Sequence, residues 1–158
     1  MRSLAVVLLG AAALLTACGG GSSPKDDPGT FALNVVRLIT HNQYERAWAD
    51  LHPDDQRVAP LQRYVTCESR TPVIAIPVDT KVVSVNDESV GLGNGHFEKS
   101  KAVDVSMDFE GGFNVVHTVH LVAKGGHWKW ILPGWRFREY RADRCPVDAA
   151  SSPPPESS

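Results

Sequence analysis

Apolar residues in the first part of the chain recur at helical spacing. Residues three and four positions apart lie on one face of a helix. Asp27 followed by Pro28 suits the N-cap and the first helical position, and we expect this helix to end at His41. The apolar positions that define its buried face are Phe31, Val35, Leu38 and Ile39.

Two further helices are predicted before the pattern changes. Asn42 can cap the second helix, because Glu45 follows at the spacing of a capping box, and Pro53 ends it. The third helix spans about 60–68 and carries Cys67 in its last turn. The apolar face of the second helix consists of Tyr44, Ala47, Trp48 and Leu51.

After Pro72 the chain is rich in β-branched residues separated by glycines, a pattern typical of strands. Helices followed by strands predict an α+β fold, with three N-terminal helices packed on a curved antiparallel sheet of about five to six strands. The predicted strands are 73–76, 81–92, 98–109, 113–123 and 127–132, with a weaker sixth at 135–140.

Two glycine turns predict how the strands pair. A two-residue hairpin at Gly125 and Gly126 places Lys124 opposite His127. At 110–112 a three-residue loop keeps apolar residues on one face, whereas a one-residue slip would reverse every side chain. The apolar pattern therefore favours the three-residue loop. The resulting pairs include Ala123–Trp128, Leu121–Trp130, Val119–Leu132, Phe109–Phe113, Met107–Val115, Val105–His117 and Val103–Val119.

The N-terminus has the layout of an export signal. One positive charge at Arg2 precedes about a dozen apolar residues at 4–15, the arrangement of a secretory signal. This run is too short for a permanent span, which needs roughly 20 apolar residues. The run ends in Leu15-Thr16-Ala17-Cys18, which resembles the lipobox of bacterial lipoproteins. The alternative is an ordinary signal peptide with a cysteine at its cleavage site.

The lipobox resemblance implies cleavage before Cys18 and acylation of its thiol with diacylglycerol and palmitate. We then expect a lipid-anchored protein on the extracytoplasmic face of the cell membrane, since two acyl chains are enough for stable anchoring. Residues 1–17 are the predicted signal peptide, 18–29 the lipidated cysteine with a flexible tether, 30–147 one domain and 148–158 a disordered tail.

The number of cysteines and the net charge restrict which kinds of cross-link and binding site the chain can form. Of three cysteines, Cys18 carries lipid, which leaves Cys67 and Cys145 for a disulfide in an oxidising compartment; two buried free thiols are the alternative. Neither has metal-ligand spacing to another Cys or His, so we expect no metal site. The formal net charge is −2, and the arginines from Arg136 to Arg144 alternate with acids, which predicts a solvated strand edge or loop and not a nucleic-acid surface.

The order of elements resembles a known superfamily. A helix containing YERAWADLHP, followed by a sheet whose hairpin ends in GGHWKWIL, resembles the nuclear-transport-factor-two-like superfamily over nearly all of 30–145. The resemblance implies a cone-shaped α+β domain in which helices close over a curved sheet and leave a pocket. Its members include isomerases, dehydratases, transport factors and noncatalytic domains, so the fold does not choose a function.

His117 is the residue that could carry chemistry in such a pocket. The register places it on the apolar face, either as a core histidine or as a pocket acid, base or donor. His120 points to the opposite face, too far for a shared metal, and Asp104 and Asp108 also turn away. The segment 52–55 is expected as a solvated turn or helix start. The candidate pocket lining is Tyr44, Trp48, Tyr64, His117, Trp128 and Trp130.

These observations leave three hypotheses for the anchored domain. The first is a noncatalytic domain that binds a small apolar ligand or a cell-envelope protein. The second is a cofactor-free pocket enzyme, isomerase-like or dehydratase-like, that uses His117. The third is a structural accessory of a cell-envelope complex. None of the three requires a cofactor.

Overall fold

The computed structural model describes residues 24–92 and 95–146, in which helices precede an antiparallel sheet. The α+β class and this order are confirmed. The sheet has four strands in the order β1-β2-β3-β4. Its strands are β1 Asp79–Gly91, β2 Phe97–Asp108, β3 Asn114–Lys124 and β4 His127–Trp130. The helices are α1 Pro28–Thr40, α2 Tyr44–Ala49, α3 Pro53–Val58, α4 Leu61–Glu68 and, after the sheet, α5 Gly134–Arg141.

The first helix forms as its sequence predicts. The Asp27 carboxylate accepts a hydrogen bond from the Thr30 amide at 2.8 Å, which satisfies one of the free N–H groups at the helix start. Pro28 occupies the first turn, where its missing N–H costs nothing. The helix buries the side chains of Ala32, Val35, Val36 and Leu38.

Four helices precede the sheet, and the prediction of three is wrong. The second helix, α2, ends at Ala49 and not at Pro53 as predicted, and Pro53 instead begins a further helix, α3. The ring of His52 caps α3 by accepting a hydrogen bond from the Asp54 amide at 3.2 Å. Asn42 does not cap α2; its side chain bonds the backbone N and O of Val73 at 2.8 and 3.0 Å. Because the Asn42 side chain makes this long-range contact with Val73, it does not form the capping box predicted for α2.

The sheet is smaller than predicted, and the curved sheet of five to six strands is not matched. Residues 73–76 form no strand. The backbone N–H and C=O groups of Val73 bond the Asn42 side chain and not a neighbouring strand, and the side chain of Ile74 is 93 % exposed. Residues 135–140 lie in α5. Phe137 and Tyr140, three residues apart, are the buried positions of that helix, a spacing that suits a helical face and not a strand.

The predicted register of the two hairpins is confirmed. Lys124 pairs with His127 and Leu121 with Trp130, and the Phe109 amide bonds the Phe113 carbonyl across the three-residue loop. The predicted pair Val119–Leu132 is wrong, because β4 ends at Trp130 and the Leu132 amide donates to a side chain instead. The other confirmed pairs are Ala123–Trp128, Met107–Val115, Val105–His117 and Val103–Val119.

The helices pack on one face of the sheet, here called the inner face, which carries Val103, Val105 and Leu121. The free edge of β4 is covered where the Trp130 amide donates to the Asp50 carbonyl and the His52 amide donates to the Trp130 carbonyl. In the described ranges, no helix is long and apolar enough to cross a membrane.

A disulfide joins Cys67 in α4 to Cys145 beyond α5, with the two Cα atoms 5.2 Å apart. The pairing expected from the cysteine count is therefore present.

Candidate functional site

Three of the six predicted pocket residues fill the core. Tyr44, Tyr64 and Trp130 are almost fully buried. The Trp130 indole donates to the Ala47 carbonyl at 2.7 Å, and the ring of Tyr64 meets it edge-on at 6.5 Å between centroids. These aromatic side chains hold α2 and α4 against the sheet, and they do not line an open pocket together.

The other two tryptophans of the predicted pocket lining hydrogen-bond segments that are distant in the chain. The Trp48 indole donates to the Ala59 carbonyl at 2.7 Å, between α3 and α4. The Trp128 indole donates to the Asp26 carbonyl at 2.8 Å and so fixes the chain just before α1. The two indoles therefore act at separate places in the fold.

His117 lies on the inner face opposite Val105, as predicted, and its side chain is exposed. The surrounding protein removes part of the water around the ring and lowers its pKa, and the charges of Arg136 and His120 lower the pKa further. The histidine is therefore poised to be neutral near pH 7.

No carboxylate within the described ranges hydrogen-bonds His117. Asp104 accepts hydrogen bonds from Thr118 at 2.6 Å and Ser84 at 2.7 Å on the opposite face of the sheet. The histidine that gains a carboxylate partner is His120, which pairs with Glu88 on that opposite face. An acid–base dyad at His117, which an enzyme would use, is not formed by these residues.

A buried polar cluster joins α4 to α5 and was missed from the sequence. Glu68 forms an ion pair with Arg136, and one of its oxygens accepts from the Tyr140 hydroxyl at 2.6 Å. The expectation that Arg136 lies on a solvated strand edge or loop is wrong, because α5 turns this residue toward α4. A glutamate one residue after a disulfide cysteine is the signal that could have placed it beside α5.

In this cluster, defined as Glu68, Arg136 and Tyr140, the Glu68 carboxylate neutralises Arg136 and accepts a hydrogen bond from Tyr140. Burial lowers the pKa of Arg136, but the Glu68 carboxylate outweighs it and the pKa is raised. Burial raises the pKa of Tyr140, and its hydrogen bond to Glu68 adds to the effect. Among the described residues, the buried Arg136 Nε atom has no hydrogen-bond partner. The cluster joins α4 to α5 and leaves no unneutralised group to act as a base.

A separate cavity of about 430 Å³ opens between α3, α5 and the connection after β1. We call it the Asp55 cavity, after the carboxyl group in its wall. Its polar lining includes Asp55, Arg138 and Arg141, and its apolar lining includes Leu92, Ile131, Leu132 and Phe137. An apolar cleft with a few convergent polar groups is the usual form of a small-molecule site.

The expected helix start at 52–55 is present, with His52 as the N-cap and Pro53 as the first residue of α3. The expected solvation is wrong for Asp55, which is 1 % exposed. Its carboxylate accepts a hydrogen bond from the Leu132 amide at 2.9 Å. Burial raises the pKa of this carboxyl to about 7, against the lowering effect of that hydrogen bond. The group is therefore partly protonated at neutral pH, and it can both donate and accept a hydrogen bond.

His52 is also buried, 2 % exposed, one turn before Asp55. Its Nδ1 atom accepts from the Asp54 amide, so the neutral ring carries its proton on Nε2. Among the described residues, Nε2 has no hydrogen-bond partner. Burial lowers the pKa of this histidine, which keeps the ring uncharged.

Spacing in the sequence does not single out Asp55. Leu51 and Ala59, four residues on either side, are fully buried, but Leu51 lies before α3 and Ala59 lies at its end. The neighbouring Asp54 forms an ion pair with Arg57, and the two adjacent acids resemble an exposed helix start in the sequence.

Within the described ranges no group of three or more His, Cys, Asp or Glu side chains is arranged to hold a metal ion. No protein-family model matches the chain, and no curated protein matches it.

Proposed function

We propose that this chain is a membrane-anchored extracytoplasmic lipoprotein whose domain binds a small ligand without catalysing a reaction. The anchoring rests on the lipobox-like Leu15-Thr16-Ala17-Cys18, which lies outside the described residues. The binding rests on one observation, the Asp55 cavity with its apolar wall and its two arginines. The helices-first, antiparallel order also supports the resemblance to the nuclear-transport-factor-two-like superfamily, although the helix and strand counts differ.

The contacts of His117 favour binding over catalysis. General acid–base catalysis needs a positioned group of suitable pKa and, as a rule, a second group that orients it or shares the proton. Asp104 hydrogen-bonds on the far face of the sheet, and Glu68 is neutralised by Arg136. In the Asp55 cavity the perturbed carboxyl hydrogen-bonds the Leu132 amide. The arginines that also line this cavity bind anions and do not exchange protons near neutral pH.

The start of the described chain suits a short anchor. Pro24 is the sixth residue after Cys18, and Asp26 and Asp27 are already bound to Trp128 and to the first turn of α1. Six residues reach at most about 20 Å when fully extended. The domain would therefore stand close to the lipid surface.

Replacing Cys18 with Ser should move the protein from the membrane fraction to the soluble fraction, because acylation requires the thiol. Ser22→Ala, which keeps the lipobox-like residues, is the matched control and should stay in the membrane fraction. The measurement is fractionation combined with labelling by a fatty acid. Labelling absent from the wild-type protein, or a Cys18→Ser protein that stays in the membrane, would contradict the anchor.

Native mass spectrometry of the mature protein tests the binding. The expected spectrum shows the chain with an added small-molecule mass that is lost on denaturation. Chemical conversion of that molecule by the purified wild-type protein, abolished in His117→Gln, would overturn the noncatalytic assignment.

A further inference from the structure

We infer that the free edge of β3 at residues 113–118, here called the β3 edge, binds an extended strand of another protein, which adds to the sheet beside β3. This edge is separate from the Asp55 cavity, and only the choice of its occupant rests on the proposed anchor. Strand addition of this kind uses main-chain hydrogen bonds for affinity and neighbouring side chains for specificity.

The last strand, β4, leaves this part of β3 without a neighbour. It pairs with β3 only from Leu121 onward, and one further backbone bond joins the Ile131 amide to the His120 carbonyl. The chain then leaves the sheet, since the next amide, that of Leu132, donates to a side chain of α3. Within residues 24–92 and 95–146, no strand lies beside the β3 edge on this side.

The backbone groups along the β3 edge point outward. The His120 carbonyl faces β4, and the N–H and C=O groups of a strand alternate between its two sides with a period of two residues. The groups that face away from β2 are therefore those of Asn114, Val116 and Thr118. The intervening residues face β2, as the bond from the Phe109 amide to the Phe113 carbonyl requires. Three donors and three acceptors thus form a row with the spacing of an extended peptide backbone.

The polar side chains on this edge lean back over the sheet. The Asn114 side-chain amide donates to the Ser106 hydroxyl at 2.7 Å, and the Thr118 hydroxyl donates to the Asp104 carboxylate at 2.6 Å. Both acceptors lie on β2, so neither side chain blocks the row of backbone groups. Val116, between them, is 55 % exposed, and a neighbouring strand would cover it.

The other free edge of the sheet is protected against such pairing. Strand β1 contains a bulge between Val82 and Ser84 and four charged residues. Bulges and charges are the devices by which edge strands avoid a partner. The β3 edge has neither, because its register with β2 is unbroken and its sequence, FNVVHT, contains no Asp, Glu, Lys or Arg. Its first residue, Phe113, is 64 % exposed. The contrast indicates that the β3 edge is left open for a partner.

A strand of a different protein fits the β3 edge better than a second copy of this chain. Two copies joined through the same edge are related by a two-fold axis, so their β3 strands would run antiparallel. Their β3–β4 turns would then lie at opposite ends of the pair, about 50 Å apart. The proposed anchor would hold the β3–β4 turn of each copy nearest to the lipid, and both copies cannot stand on one membrane in that arrangement. The occupant is therefore an extended segment of another envelope protein, with a β-branched apolar residue beside Val116 and no proline where its N–H groups meet the edge.

The test is a titration of ¹⁵N-labelled mature protein carrying Cys18→Ser with the peptide acetyl-Lys-Thr-Thr-Val-Thr-Thr-Lys-amide. We expect saturable shifts and slower hydrogen exchange at the amides of Asn114, Val116 and Thr118. The matched probe is the same peptide N-methylated at Val and at the following Thr, so that an N–H group is lost whichever side of the peptide faces β3. It should bind at least about tenfold more weakly, because it loses backbone hydrogen bonds.

Val116→Lys should weaken binding of the unmethylated peptide at least about tenfold, because a charge on an edge strand opposes pairing. Val83→Lys is the matched control. Val83 is 59 % exposed on β1, and this variant should bind as the wild type does. Both side chains are exposed, so unchanged amide spectra in the absence of peptide will verify the fold.

Three results would overturn the inference: equal binding of the N-methylated peptide, wild-type affinity in Val116→Lys, or no shifts along the β3 edge. A wild-type dimer in sedimentation equilibrium that Val116→Lys converts to a monomer would assign the edge to a second copy and overturn the choice of occupant. None of these outcomes changes the native mass spectrum or the fractionation of Cys18→Ser, so the proposed ligand binding and anchoring stand or fail separately.

Discussion

At the scale of single residues, the carboxyl group of Asp55 links the cavity to the stability of the fold. It is buried and bonded to the Leu132 amide, and its pKa rises from 3.8 to about 7. The folded state therefore binds a proton that the unfolded state has lost across this interval. Stability from this group is present below pH 4 and is lost as the pH rises toward 7.

Asp55→Asn should remove this pH dependence, because the amide keeps the acceptor for Leu132 and does not ionise. Between pH 4 and pH 7 the wild-type free energy of unfolding should fall relative to the variant by up to about 4 kcal/mol. Urea unfolding at several pH values measures this difference. The pKa values of His52 and His117 are lowered, so their contribution to the free energy of unfolding falls as the pH drops below 6.5. Both histidines are present in the wild type and in the variant, so this effect cancels in the comparison.

Asp87→Asn is the control for this experiment, since the Asp87 side chain is exposed. It should leave the difference between pH 4 and pH 7 unchanged. An Asp55→Asn protein whose stability follows the wild-type curve at every pH would show that this carboxyl does not titrate near neutrality in the folded protein.

Glu68→Gln should lower the free energy of unfolding by about 3–5 kcal/mol, because it leaves the Arg136 cation buried without its counter-charge. Glu98→Gln is the matched control: its pair with Lys124 is more exposed, and such pairs contribute about 0–1 kcal/mol. Denaturant unfolding measures both values. Equal losses in the two variants would mean that the Glu68–Arg136 pair is no better shielded from water than a surface pair.

At the scale of elements, the disulfide and the Glu68–Arg136–Tyr140 cluster act on the same two helices. Cys67 immediately precedes Glu68 at the end of α4, and Cys145 follows α5. The cross-link limits how far α5 can move from α4, and the cluster sets its rotation. Since α5 carries both Arg136 and the cavity arginines, its orientation determines which arginine meets Glu68.

Cys67→Ser/Cys145→Ser should lower the free energy of unfolding by roughly 4 kcal/mol, the chain-entropy value for a loop of 78 residues. In this variant we also expect the rate of hydrogen exchange to increase more in α5 than in the β2–β3 hairpin, because the cross-link constrains α5 directly in the wild type. Non-reducing peptide mapping of the wild type should recover the two cysteine peptides as one. Free thiols in protein purified without reductant would refute the cross-link.

At the scale of the whole molecule, the proposed anchor at Cys18 would decide which end of the sheet faces the membrane. The Trp128 indole binds the Asp26 carbonyl next to the β3–β4 turn at Gly125 and Gly126. The β2–β3 turn lies at the other end of β3, whose 11 residues span about 35 Å. With the proposed anchor, a tether of at most about 20 Å would hold the β3–β4 turn nearer to the lipid than the β2–β3 turn.

The orientation can be measured on protein conjugated at the Cys18 thiol to a maleimide lipid in nanodiscs. Gadolinium-chelating headgroups should broaden the amide signals of Gly125 and Gly126 more than those of Gly111 and Gly112. Insertion of a 20-residue Gly/Ser spacer before Pro24 should abolish the difference. Equal broadening at both turns with the native tether would exclude this orientation, whatever the result for Cys18→Ser in cells.

The sequence by itself determined some of the local elements, chiefly α1 and the hairpins from β2 to β4, and the pairing of those strands. The helical spacing around Val35, the N-cap at Asp27 and the two-residue turn at Gly125 all depend on neighbours within a few positions in the chain. The register of β2 and β3 followed as well, because a one-residue slip would have exposed the apolar face. The disulfide followed from the cysteine count, since one cysteine was already assigned to lipid.

Only the tertiary structure decided which polar side chains are buried and what they meet. Asp55 and Glu68 look like ordinary surface acids in the sequence, and Arg136 looks like one member of a charged run. Their environments depend on contacts across about 70 residues, such as Glu68 with Arg136 and Asp55 with Leu132. Local periodicity carries no information on such contacts, because burial and pKa are set by the elements that pack around a side chain.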